Sequence, residues 1–131
     1  MKKPISDNAI AAICILSGLA ILTCYFYYNK YQSYHNSRYT SGKVMSVNEG
    51  TFLNYQYQIN GVMYVNLYVH EDYGTHYGDE YRKRIGQHFL VQFNQKNPDY
   101  SVIYLSCQME DTLSAPTDGW TSPPINCAGL K

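Results

Sequence analysis

The sequence predicts a mainly β protein, with one N-terminal transmembrane α-helix followed by a small curled antiparallel sheet, or partly open barrel, of about five strands with one short helix. Three observations carry this reading. Residues 9–28 contain no charged side chain. From about residue 40 to residue 106 apolar and polar residues alternate with period two. Asparagine, glycine and proline punctuate that stretch at turn spacing. The chain therefore divides into an N-terminal tail (1–8), a transmembrane helix (9–28), a connector (29–39), a β domain (40–106) and an irregular C-terminal tail (107–131).

Each element follows from its residues. About twenty helical residues cross a hydrocarbon core of about 30 Å, and Ala9 to Tyr28 fits one such pass. Lys2 and Lys3 precede it, Asp7 and Asn8 are placed to cap its first turn, and Tyr25, Phe26, Tyr27 and Tyr28 form an interfacial aromatic belt at its far end. A cleaved signal peptide would carry small residues where these aromatics stand. Ile21-Leu22-Thr23-Cys24 distantly resembles a lipoprotein processing box, but threonine replaces the usual small residue before the cysteine. The flanking positive charges, Lys2 and Lys3 against Lys30, Arg38 and Lys43, are nearly balanced and do not orient the helix.

In the domain, Gly42 to Val47 is the first strand, Asn48-Glu49-Gly50 a turn, and Thr51 to Ile59 the second strand, with Leu53, Tyr55 and Tyr57 on one face. Val62 to His70 is the third, with Met63, Val65, Leu67 and Val69 on one face and Tyr64 and Tyr68 on the other. A two-residue Asn60-Gly61 turn would set Gln56 and Gln58 on the face of Val65 and Met63. A three-residue loop with Gly61 in a bulge would instead gather both apolar rows on one face, and is the expected arrangement. Tyr77 to Gly86 reads as a short helix, acidic at its start, basic at its end and stopped by glycine. His88 to Phe93 and Tyr100 to Ser106 are the fourth and fifth strands, joined through Asn97-Pro98-Asp99. Trp120 is the residue placed to pin the tail to the sheet.

In order of signals, the Gly42-Lys43-Val44 strand start, the Tyr55 to Gly61 hairpin with Tyr64 beyond it, the Tyr81 to Gly86 turn and Phe93-Asn94-Gln95-Lys96-Asn97-Pro98 resemble a widespread bacterial family of membrane-anchored domains of unknown function. The resemblance spans roughly Thr40 to Leu105. It implies a fold beside one or two transmembrane helices, and no catalytic residue or ligand. The chain departs from the family pattern at Gln87, where an aspartate is common, and at Asn94-Gln95, in place of a tyrosine-aspartate turn.

Composition narrows the functions. Ten basic and ten acidic residues, most of them interspersed after the helix, give no net charge and no field to recruit nucleic acid. Fifteen tyrosines suit strands and membrane interfaces and require no cofactor. His70, Glu71, Asp72, His76, Asp79 and Glu80 form the densest polar cluster, but their spacing matches no standard metal site, so no metal is expected. No glycine-flanked nucleophile or strained elbow appears, which argues against an enzyme. Cys14 and Cys24 fall in the helix; Cys107 and Cys127 would close a loop of about 20 residues if bridged, and spacing leaves free thiols equally open.

Tyr64, Tyr68 and Tyr104 are the residues for an exposed aromatic interaction face, weighed against ordinary cross-strand pairing. The expected function is a non-enzymatic, membrane-tethered interaction or scaffold module of the bacterial cell envelope. It would be single-pass in the inner or cytoplasmic membrane, with the β domain outside the cytoplasm and an edge strand or the tyrosine face turned to a protein partner. An immunity-type protein neutralising a toxin at the membrane is the alternative.

Overall fold

The computed structural model describes residues 5–48, 52–69 and 78–127, the side chains of residues 33 and 34 excepted. The chain forms two units, one ending at His35 and one beginning at Asn36.

The first unit is helix α1, Asp7–His35. Its cap is Ser6 rather than Asp7 or Asn8: the Ala9 N–H donates to the Ser6 hydroxyl at 3.3 Å and to the Ser6 carbonyl at 2.9 Å. Asp7 instead sits in the first turn, where a negative charge complements the helix dipole. Ile10, Ile13, Leu16, Leu19 and Leu22 are all exposed, so apolar side chains encircle the axis. Polar side chains within the helix are satisfied locally, the Ser17 hydroxyl on the Cys14 carbonyl and the Thr23 hydroxyl on the Leu19 carbonyl. Asp7–Gln32 is long and apolar enough to cross a membrane. The connector expected over residues 29–39 does not exist as such: helix continues to His35 and strand begins at Ser37.

The second unit is a five-stranded antiparallel sheet, β1 (Ser37–Asn48), β2 (Phe52–Ile59), β3 (Val62–Val69), β4 (His88–Asn94) and β5 (Ser101–Met109), with helix α2 (Gly78–Arg82) between β3 and β4. Strand order is β3-β2-β1-β4-β5, an open sheet and not a closed barrel. Its two edges are nonetheless bridged by side chains. The Asn66 amide donates to the Asp99 carbonyl at 2.8 Å and to Ser101 Oγ at 2.9 Å, and the Tyr55 hydroxyl lies 2.9 Å from the same Ser101 Oγ. At Gly42 an ideal Cβ would stand 2.4 Å from Cγ2 of the buried Val91, so a side chain there would force Val91 to shift.

The hairpin corrects the expected register. Ile59 pairs with Val62 and Gln58 with Met63, leaving Asn60 (φ 50°) and Gly61 (φ 81°) as a two-residue turn. Two left-handed residues in succession are the signature of a type I′ turn, whose twist matches that of the strands, and Asn-Gly is its favoured pair. The consequence is the one that the three-residue loop avoided: Met63, Val65 and Leu67 share a face with Gln58, Gln56 and Asn54.

The inner face carries the core: Leu53, Tyr55 and Tyr57 of β2, Val44 of β1, Phe89, Val91 and Phe93 of β4, and Ile103 of β5. Tyr81 of α2, 4% exposed, closes one end. α2 ends at Arg82, short of the expected Gly86 stop; Gly86, left-handed at φ 86°, instead shapes the turn into β4, and its N–H donates to the Val44 carbonyl at 2.8 Å. The expected turn residues Glu49 and Gly50, and Thr51, His70 and Tyr77 at element ends, lie outside the described residues.

A second apolar cluster, Leu90, Cys107 and Met109, lies on the outer face of β4 and β5, with Trp120, Ile125 and Cys127 of the C-terminal segment packed on it. That segment is less irregular than its composition suggests. The Tyr39 N–H donates to the Trp120 carbonyl at 2.9 Å and the Trp120 N–H returns to the Tyr39 carbonyl at 2.7 Å, so Trp120 pins the tail as a one-residue bridge along β1. Arg38 holds Asp118 at 2.5 Å, and the Asn60 N–H donates to the Thr117 carbonyl at 2.6 Å. Gly119 makes the crossing possible: at φ +83° a side chain would be strained, and its Cβ would meet the Tyr39 carbonyl at 2.7 Å and the Phe93 ring at 2.9 Å.

Candidate functional site

The three tyrosines expected to form one exposed face do not come together. Tyr64 and Tyr68 are half-buried on the inner face, where Tyr64 stacks on Tyr57 at 5.6 Å and Tyr68 meets Tyr81 edge-on at 6.2 Å. Tyr104 packs with the outer cluster instead, and its hydroxyl donates to Gln92 Oε1 at 2.5 Å. Each is a cross-strand or core contact. For Tyr64 and Tyr68 the cause is the hairpin register, because a shift of one residue exchanges the two faces of a strand, whereas Tyr104 is turned outward by its pairing with Leu90.

What the register exposes is the row assigned to the core by alternation alone. Met63 is 52%, Val65 68% and Leu67 45% exposed on the outer face of β3. Phe52 and Val69, paired with each other, are half-buried at one end of the same face. No charged residue occurs in β2 or β3, so the β2–β3 outer face is apolar along β3 and amide-lined along β2, at Asn54, Gln56 and Gln58. The edge beside it is guarded. The Leu67 N–H is taken at 2.9 Å by the Asn66 side-chain carbonyl, while the Asn66 amide reaches across to Asp99 and Ser101. A strand added along this edge would have to displace those bonds, whereas the face is free of them.

A separate cleft of about 400 Å³ lies between the C-terminal segment and the sheet, lined by Ser41, Gln58, His88, Asp111, Ser114 and Thr117 among others. His88 Nδ1 and Asp111 Oδ1 are 2.6 Å apart. Sequence reading missed this pair because the residues are 23 apart, and only the pairing of His88 with Met109 at the end of β5 brings them together. The carboxylate fixes the imidazole and is itself largely exposed to water, a geometry suited to orienting a polar group rather than to chemistry in a dry site.

Of the polar cluster considered for metal, His70, Glu71, Asp72 and His76 lie outside the described residues, and Asp79 forms an exposed ion pair with Arg82 at 3.0 Å. No group of three or more potential ligands is found among the described residues.

Cys107 and Cys127 are disulfide-bonded, with Cα atoms 5.5 Å apart, inside the usual range for a bridge. Cys107 belongs to β5 and is 1% exposed; it is not part of the tail, as the sequence suggested. The bond thus ties the end of the C-terminal segment to the sheet it covers. Cys14 and Cys24 are free.

Burial pushes the Tyr55 hydroxyl up to about 12, against the opposing hydrogen bond with Ser101, and raises Tyr57 for the same first reason, desolvation. The Tyr57 hydroxyl donates to the Pro98 carbonyl. Because the folded value lies above the unfolded one, the stabilisation is complete below the ordinary tyrosine value and is lost as pH rises through the folded value. Domain stability is therefore expected to fall by roughly 2–3 kcal/mol between pH 10 and about pH 12. Thermal melts across that window check this, and Tyr55→Phe should flatten much of the slope.

Comparison with protein-family models, with curated proteins and with solved structures gives no match to this chain.

Proposed function

We propose that the chain is a non-enzymatic, membrane-tethered protein-interaction module of the bacterial cell envelope, with its β domain on the oxidising side of the cytoplasmic membrane. One observation carries the interaction reading: an uncharged apolar row, Met63, Val65 and Leu67, stands exposed on a small sheet whose inner face is packed and whose outer face is covered at Leu90, Cys107 and Met109. Single exposed apolar residues are ordinary on any surface, whereas a row on one strand face forms a contiguous patch of the kind that often serves contact, which supports the reading. The Cys107–Cys127 bond supports the oxidising side, where such bonds persist. α1 supplies the tether.

The test uses cysteines placed in a Cys14→Ser, Cys24→Ser background and a membrane-impermeant maleimide on intact cells. Val102, 53% exposed on the β5 outer face, is the reference. Val102→Cys should label without lysis, and Val65→Cys should label several-fold less until SDS removes whatever covers it. Equal labelling of the two in cells would defeat the interaction reading. A Val102→Cys that labels only after lysis would defeat the orientation.

A further inference from the structure

We propose that the Cys107–Cys127 bond is a latch worked by thiol–disulfide exchange, whatever the β3 row binds. A partner carrying a dithiol opens it, residues 121–127 leave the sheet, and Cys107 and the apolar surface beneath Ile125 are uncovered while the β domain stays folded.

The C-terminal segment is held unevenly. Up to Trp120 it is fixed by main chain and charge: the Thr117 carbonyl accepts the Asn60 N–H, Asp118 meets Arg38, and Trp120 exchanges two hydrogen bonds with Tyr39. Beyond Trp120 these anchors stop. Among the described residues, 121–127 form no hydrogen bond or ion pair, and Pro123 and Pro124 have no N–H to donate. Two things hold this stretch: Ile125, half-buried against Leu90, Cys107 and Met109, and the disulfide itself. One half-buried side chain does not offset the conformational freedom that a whole segment gives up, so its order depends on the bond.

The two sulfurs differ in access. Cys107 is 1% exposed beneath the segment, whereas Cys127 is only half-buried at its end. An incoming thiolate therefore attacks Cys127 Sγ: a new S–S bond forms there, the old one breaks, and its electron pair leaves on Cys107 Sγ, which takes a proton from water. The partner's second thiolate then displaces Cys127, which is protonated in turn. The partner ends as a disulfide and the chain as two thiols, two electrons and two protons having passed to the chain. Exchange with a disulfide of the same class runs these steps backwards and closes the latch. The bridge of Trp120 to Tyr39 involves neither sulfur, so it limits the release to the residues beyond it.

The experiment uses the full chain in detergent micelles, again with Cys14→Ser and Cys24→Ser. Adding Cys127→Ser leaves Cys107 as the sole thiol, held under the segment only if the segment stays down without the bond. Maleimide should then label Cys107 within about tenfold of the rate at Val102→Cys in the disulfide-bonded chain, and the rate should be flat in urea below the unfolding transition, as local opening is and global unfolding is not. A slower rate, or one that climbs steeply with urea, overturns the latch, and so does a far-ultraviolet dichroism spectrum showing that Cys127→Ser is unfolded. With both cysteines present, brief treatment with glutathione followed by acid should trap the first adduct on Cys127. An adduct formed first on Cys107 overturns the order of attack and with it the claim that the segment shields the inner sulfur.

Discussion

Replacing Cys107 and Cys127 together by alanine is expected to destabilise the β domain by about 3 kcal/mol, the effect of freeing a loop of this size in the unfolded chain. The bond spans 20 residues of sequence and closes the C-terminal segment over Leu90 and Met109, which are 0% and 4% exposed. For a domain of under 100 residues this corresponds to a fall in Tm of about 15 °C. Reductant should lower the Tm of the unsubstituted protein by a similar amount and leave the double variant unmoved. The fold should survive, because Trp120 still pairs with Tyr39 and Arg38 still holds Asp118. An unsubstituted protein whose melting is indifferent to reductant would show that the two thiols are not bridged.

The long apolar helix, the number of strands and most of their positions are legible in the sequence because these depend on local signals. An uncharged run longer than any soluble helix of so small a domain could cover, and period-two alternation between turn residues, are both read within one segment. Trp120 as a pin is likewise met by its bridge to Tyr39, whereas the helix ends at Arg82 and Gly86 serves the turn beyond it. The register of the hairpin was not legible. Alternation shows that Met63, Val65 and Leu67 share a face, but not which face, and the expectation that apolar rows are buried together chose wrongly. The turn chemistry of Asn60-Gly61 favours two residues and decided the matter in the fold. The same register turns Tyr64 and Tyr68 inward and the β3 apolar row outward. The His88–Asp111 pair and the edge-bridging role of Asn66 depend on which strands meet, and no residue near them in sequence announces it.

Phe93→Ala is expected to be the most damaging single truncation in the β domain, at about 3–5 kcal/mol. Phe93 is 2% exposed, and three parts of the fold rest on its ring. Tyr57 of β2 stacks on it at 6.4 Å, the inner cluster surrounds it, and the C-terminal segment crosses over it at Gly119, whose lack of a side chain is what lets the ring and the Tyr39 carbonyl approach. Removing the ring therefore leaves a cavity that none of the three can fill without moving β2, β4 or the Trp120 bridge. Such a loss is comparable to the whole stability of many small domains, so the variant should be largely unfolded near physiological temperature. Val102→Ala supplies the contrast: Val102 pairs with Gln92, beside Phe93 on the same strand, but faces outward and is 53% exposed, and its truncation should stay within about 0.5 kcal/mol. Denaturant unfolding of the two variants, read by tyrosine and tryptophan fluorescence, measures the difference. Equal midpoints would show that the Phe93 ring does not carry the contacts described for it.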